Sequence, residues 1–152
     1  MVVTVVLAVV WFNAIDIDNT LVRTDLEKCY LACHAAHNKA ITTGKKSIIL
    51  IDIPGRKYAI DGRWVPLNKA VTFGWVAGAK GPPSSPRTVI QSPCTFTDNI
   101  IVFSPNGAIS KGSLYFVDKK RRYGYALTIS IGHITSIRRY IYRDRWYLLD
   151  TE

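Results

Sequence analysis

Glycine and proline are absent from Met1 to Thr43, and Gly44 ends that run. These are the two residues that helix interiors tolerate least, so so long a stretch without either favours one long helix. Its periodicity agrees. At 100° per residue, Leu26, Cys29, Cys33, Ala36 and Ala40 all fall within about 40° of Val22, a narrow apolar stripe. Arg23, Asp25, Glu27, Lys28 and Lys39 lie mostly off it. Gly44 stands where a helix C-terminal stop belongs. Residues 18–40 therefore read as helix. One helix from near the start to about residue 42 is expected, although the β-branched residues among 2–6 weaken its first turns.

Residues 2–12 are apolar except for Thr4. The run is shorter than the roughly 20 residues that span a bilayer. It has no basic segment before it and no small-residue cleavage pattern after it, so it is not a complete secretory signal. It reads as a buried element or as the tail end of a longer hydrophobic helix.

After Lys46 the apolar period changes to two, or to short runs. Strands are expected at residues 47–53, 57–60, 63–67, 70–77 and 89–97. Further strands are expected at 100–103, 108–109, 113–117, 123–131, 134–142 and 146–149. Asp61-Gly62 and Asn106-Gly107 are two-residue hairpin signals. Residues 78–86 are rich in glycine, proline and serine and read as loop. In the 123–131 strand, Tyr125, Leu127, Ile129 and Ile131 share one face, and Ala126, Thr128 and Ser130 the other. Gly132 predicts a bulge or tight bend.

A helix followed only by strands makes the expected class α+β, with residues 1–44 as the helix and 45–152 as the β-domain, one structural unit together. The stripe is wide enough to be buried against one sheet face. The apolar front would then project and require lipid or other subunits.

Catalytic chemistry finds little footing. The histidines are His34, His37 and His133, and no nucleophile elbow, zinc-protease, P-loop or dinucleotide fingerprint occurs. Asp16 and Asp18 lie two apart and face away from one another on a helix. No catalytic residue, cofactor or small-molecule substrate is expected. Cys29, Cys33 and His37 follow i, i+4, i+8 spacing, with His34 nearby, which permits a zinc site completed by Cys94. The same cysteines sit in the apolar stripe, where small thiols fill a helix–sheet contact, and that reading is preferred, with no metal. A bridge from Cys94 to one helical cysteine is a further option. Val22, Leu26, Cys29, Cys33 and Ala36 are assigned to helix–sheet packing.

The formal net charge is +9. Lys119, Lys120, Arg121 and Arg122 crowd one loop. Arg138, Arg139, Arg143 and Arg145 crowd the C-terminal segment, interleaved with Tyr140, Tyr142 and Trp146. Arginine beside aromatics clamps phosphates and stacks on bases, so these eight residues are the candidate DNA- or anion-binding set. A solvated loop and a charged edge strand that resists aggregation also explain them, and that simpler reading is preferred.

The segment Val102-Phe-Ser-Pro-Asn-Gly-Ala-Ile-Ser-Lys-Gly-Ser-Leu-Tyr-Phe, followed by Leu127-Thr-Ile-Ser-Ile-Gly-His-Ile, resembles the C-terminal half of the GspH/FimT-like pseudopilins. That family shows a phenylalanine–polar–proline–x–glycine hairpin, a glycine before the next strand, and a strand ending in a glycine-led turn. The helix end, from Leu26 through Ala40-Ile-Thr-Thr-Gly-Lys, resembles the close of the family's helix. The resemblance spans residues 15–140.

It implies a type IV pilin-like fold, with the front of the helix in the inner membrane and the globular part in the periplasm. It also implies a non-catalytic subunit that packs helix to helix with other pilin-like subunits, in a type II secretion or type IV pilus filament. The family's glycine–phenylalanine processing site and its glutamate at the fifth mature position do not occur before Asn13. Three readings stay open: a truncated chain, a misplaced start, or a subunit processed differently. Some FimT-like members bind DNA through a glycine–arginine–x–arginine motif. The matching positions here are Gly132-His133-Ile134-Thr135, without either arginine. DNA binding is therefore the second expectation.

Overall fold

A computed structural model describes residues 2–131 and 135–149, with side chains from residue 17 onward. The helix α1 spans Val2–Thr43. After it come β1 (Ser47–Asp52), β2 (Lys57–Ile60), β3 (Arg63–Pro66), β4 (Val71–Phe73) and β5 (Ile100–Phe103). The chain closes with β6 (Gly112–Asp118), β7 (Gly124–Ser130), β8 (Ser136–Tyr142) and β9 (Trp146–Leu148). One sheet has the order β3-β2-β1-β5 and the other β4-β6-β7-β8-β9. Both are antiparallel throughout. This is an α+β architecture, one long helix packed on antiparallel sheets.

The helix ends where its backbone can turn left-handed. Gly44 has φ 69°, and its N–H donates to the Ala40 carbonyl at 3.0 Å, satisfying an otherwise orphaned acceptor. On α1, Val22, Leu26, Cys29, Cys33, Ala36 and Ala40 are buried. They form one core with Ile49 and Ile51 of β1, Ile101 and Phe103 of β5, Leu114 and Phe116 of β6, and Tyr125, Leu127 and Ile129 of β7. The helix therefore lies across both sheets and joins them.

The five-stranded sheet is covered on its other face as well. Tyr115 and Ala126, paired across β6 and β7, pack with Ala79 and Ile90 from the intervening loop, and with Trp75, Tyr140 and Trp146. This explains why the expected strand over residues 70–77 stops early. Gly74 still donates to the Tyr115 carbonyl, and the chain then leaves the sheet edge to cover its outer face.

Residues 89–97 make only isolated bridges, Lys80–Val89 and Cys94–Leu114, not a strand. Asn106-Gly107 does turn, with Gly107 at φ 90°, but it returns through a single Phe103–Ile109 bridge. Asp61-Gly62 joins β2 to β3 with both residues at positive φ, as a primed turn requires. Ile131, expected on the core face, is exposed because β7 ends at Ser130. The bulge expected at Gly132 lies outside the described residues.

Asp25 is buried on α1, and its carboxylate accepts the Asn68 N–H at 2.7 Å. Burial raises its pKa, partly offset by that N–H and by Lys28 and Arg56. A carboxyl raised on folding adds stability below its unfolded value of 3.8 and loses that contribution as pH rises through the folded value. Asp25→Asn keeps an acceptor for Asn68 and removes the charge. It is expected to stabilise the fold at pH 7, with the gain shrinking toward zero below about pH 4. Urea denaturation across that range checks it. In the same assay Leu26→Ala is expected to cost about 2–5 kcal/mol, because Leu26 is fully buried. Leu31→Ala, at an exposed site of the same helix, is expected to stay within about 0.5 kcal/mol.

Candidate assembly and anion-binding surfaces

Polar contacts fix α1 along its length. Asp18 pairs with Arg122 at 2.6 Å, and Arg122 also reaches Asp118 at 3.2 Å. The Tyr125 hydroxyl donates to Asn19. Glu27 pairs with Arg139, whose guanidinium lies 4.1 Å from the centre of the Tyr30 ring. Near the other end His37 Nε2 donates to the Gly107 carbonyl at 3.1 Å, and Lys39 pairs with Asp61 at 2.7 Å. These anchors run over about 32 Å of helix, from Asp18 to Lys39.

The structure distributes the eight basic candidates among different roles. Arg122 and Arg139 are held by carboxylates of α1. Lys119, Lys120 and Arg121 are exposed in the β6–β7 loop, and Arg143 and Arg145 in the β8–β9 loop. Gly124 faces Val117 on one side and Tyr142 on the other, and Tyr142 faces Trp146, so both loops emerge at the same end of the sheet. That end lies beside Asp18 and Asn19. Arg143 also lines a cleft of about 640 Å³ with Arg23, Glu27, Arg139 and Tyr147. Arg23 was not among the sequence candidates. On its own it is one charge on a helix face, and only the fold sets it beside β8.

Arg138 stands apart on the outer face of the sheet. With Lys111, Thr95, Thr128, Ser130 and Tyr140 it lines a groove of about 470 Å³ with no acidic residue among its described lining. Positions Gly132, His133 and Ile134 lie outside the described residues.

The cysteines are inward-facing free thiols. A hydrogen bond with Cys29, then burial, pushes the Cys33 thiol up, and burial raises Cys94 to about 11. Cys33 and Cys94 are therefore poor nucleophiles and poor metal ligands as they stand. His34 packs edge-on against Tyr30 with ring centres 4.5 Å apart. Burial, then His37 and Arg139, lowers its pKa. Among the described residues no group of three or more histidine, cysteine or acidic side chains is placed to hold a metal ion.

Exposed apolar side chains gather on α1 and on the four-stranded sheet, among the described residues. On α1 they are Ile17, Leu31 and Ile41, away from the sheets. On the four-stranded sheet they are Ile48 and Leu50 of β1 and Trp64 of β3, with Lys57 lying 4.6 Å from the Trp64 ring centre. The second patch has a sequence signal: Ile48, Ile49, Leu50 and Ile51 are apolar at both parities, so one pair faces outward whichever pair is buried.

No family model and no curated protein matches the chain. A solved structure does, "Structure of the minor pseudopilin EpsH from the Type 2 Secretion System of Vibrio cholerae". The match has a TM-score of 0.52 at 12% identity, and covers 76% of this chain and 94% of that one. At that identity the likeness establishes the fold, a pseudopilin-like one. Among the described residues no helix is long and apolar enough to cross a membrane.

Arg139→Ala is expected to cost about 2 kcal/mol, since it strands a half-buried Glu27 and removes the contact with Tyr30. Arg138→Ala is expected to change stability by less than about 0.5 kcal/mol. Thermal melting distinguishes them. The thiols are expected to react with Ellman's reagent at pH 8 at least about a hundredfold faster in denaturant than in the folded protein. A rapid reaction without denaturant would contradict their placement.

Proposed function

We propose that this chain is a non-catalytic minor pseudopilin or pilin subunit of the GspH/FimT type. It would serve a type II secretion or type IV pilus filament, anchored in the inner membrane by the front of α1 with its β-domain in the periplasm. The observation that carries this reading is the division of labour on α1. One narrow stripe is buried by the chain's own sheets, while the opposite side keeps Ile17 and Leu31 exposed. An apolar side chain on the outer face of a helix suits packing against a neighbouring helix. The helix also continues N-terminally from its Asp18 anchor to Val2, bringing the apolar residues 2–12 to one end. The pilin-like fold and the likeness to EpsH support the same reading.

Replacing Leu31 by Asp tests the helix face. The variant is expected to melt like the wild type and to lose at least about tenfold in co-purification or cross-linking with other pilin-like subunits. Unchanged incorporation of the variant would remove the helix-packing account.

A second reading is DNA binding, favoured by the acid-free groove with Lys111 and Arg138. It expects retention of duplex DNA that falls steeply with salt and weakens in Arg138→Ala. No retention at low salt would end it.

A further inference from the structure

The exposed cations at the Asp18 end of the domain have a geometry that the filament reading does not use. Arg23, Lys119, Lys120, Arg121, Arg143 and Arg145 are all exposed, and none is in a salt bridge among the described residues. They come from three distant parts of the chain. The antiparallel register of β6, β7, β8 and β9 brings the two loops to one sheet end, and the Asp18–Arg122 pair ties that end to α1. The described acids nearby are already engaged. Asp18 and Asp118 both hold Arg122, while Asp144, which accepts from the Tyr147 hydroxyl at 2.8 Å, offsets only Arg145 beside it.

The β6–β7 loop is also held in shape. Asp118 is almost fully buried, and its Oδ1 accepts the backbone N–H groups of Arg122 and Tyr123 at 2.6 and 2.9 Å. The Arg121 N–H donates back to the Asp118 carbonyl at 2.8 Å, with Arg121 at φ 56°. Lys119, Lys120 and Arg121 are thus displayed by a fixed turn, so binding through them costs little backbone ordering.

The helix carries this end toward the apolar residues 2–12. From Asp18 back to Phe12 is about 9 Å of helix. That is close to the Debye length of about 8 Å at physiological salt. With residues 2–12 in the hydrocarbon, the loops stand within electrostatic reach of the headgroups.

We propose that the β6–β7 and β8–β9 loops, with Arg23, form a cationic collar along the sheet side of α1 that binds anionic phospholipid headgroups of the membrane entered by the helix. The inference rests on the membrane-anchored reading above. Lipid is favoured over nucleic acid here because the loops flank the end from which the apolar helix front leaves, where a membrane surface meets both loops together. Collar binding fixes the height and tilt of the domain above the bilayer.

The test uses the full chain and flotation with phosphatidylcholine vesicles, with or without phosphatidylglycerol. Wild type is expected to bind neutral vesicles through residues 2–12, and anionic vesicles at least about tenfold more tightly at low salt. The combined variant Lys119→Gln, Lys120→Gln, Arg121→Gln is expected to lose that gain and keep neutral binding and its circular dichroism. Arg138→Gln, on the other face, is expected to keep the gain. Equal binding of wild type to neutral and anionic vesicles overturns the collar and leaves the anchor standing. Binding to anionic vesicles alone, lost in the combined variant, supports the collar and removes the anchor. Binding to neither overturns both. A combined variant that loses duplex DNA but not anionic lipid overturns the lipid assignment in favour of nucleic acid.

Discussion

A stripe of small side chains sets how closely α1 approaches the two sheets. Cys29, Cys33, Ala36 and Ala40 leave room for the aromatic and branched residues that fill the space beneath, among them Tyr58, Phe103, Phe116 and Leu127. Larger residues on the stripe would push the helix outward and open voids against both sheets, at a cost that rises with cavity size. The four-stranded and five-stranded sheets share no ladder; the helix packs across both in one core, and Arg56 of the β1–β2 turn donates to the Val71 carbonyl of β4 at 3.1 Å. The buried thiols act here as small apolar groups; the Cys29 hydrogen bond and burial keep Cys33 protonated, and burial does the same for Cys94.

Packing of that kind permits sliding along the helix axis, and the polar anchors oppose it. Asp18, Asn19, Asp25, Glu27, His37 and Lys39 each meet a partner from the β-domain. A shift of one turn breaks all of them together. The buried or half-buried ones matter most, because an unpaired charge there keeps its desolvation cost. Arg122 and Arg139 are best understood in these terms: their charge is spent on holding the helix, while their sequence neighbours remain exposed.

The outer surface divides by chemistry. Apolar residues face out from α1 and from the four-stranded sheet, and cations gather at the end of the domain nearest the helix front. The helix packing and headgroup binding proposed above both require that distribution. The acid-free groove beside Arg138 belongs to neither surface and carries the separate nucleic-acid reading.

The long helix, its stop at Gly44 and the change to strands after Lys46 were legible in the sequence, because helix-breaking residues and apolar periodicity are local properties. The Asp61-Gly62 hairpin was legible for the same reason. The early end of β4 and the loss of a strand over residues 89–97 were not. Both follow from the loop that covers Tyr115 and Ala126, a contact between segments distant in the chain. Charge shows the same limit: sequence supplied eight basic candidates, but only strand register and the carboxylates of α1 decided which are anchors and which face out. Residue type and spacing are written along the chain, whereas the partner of a charge is chosen by which segments folding brings together.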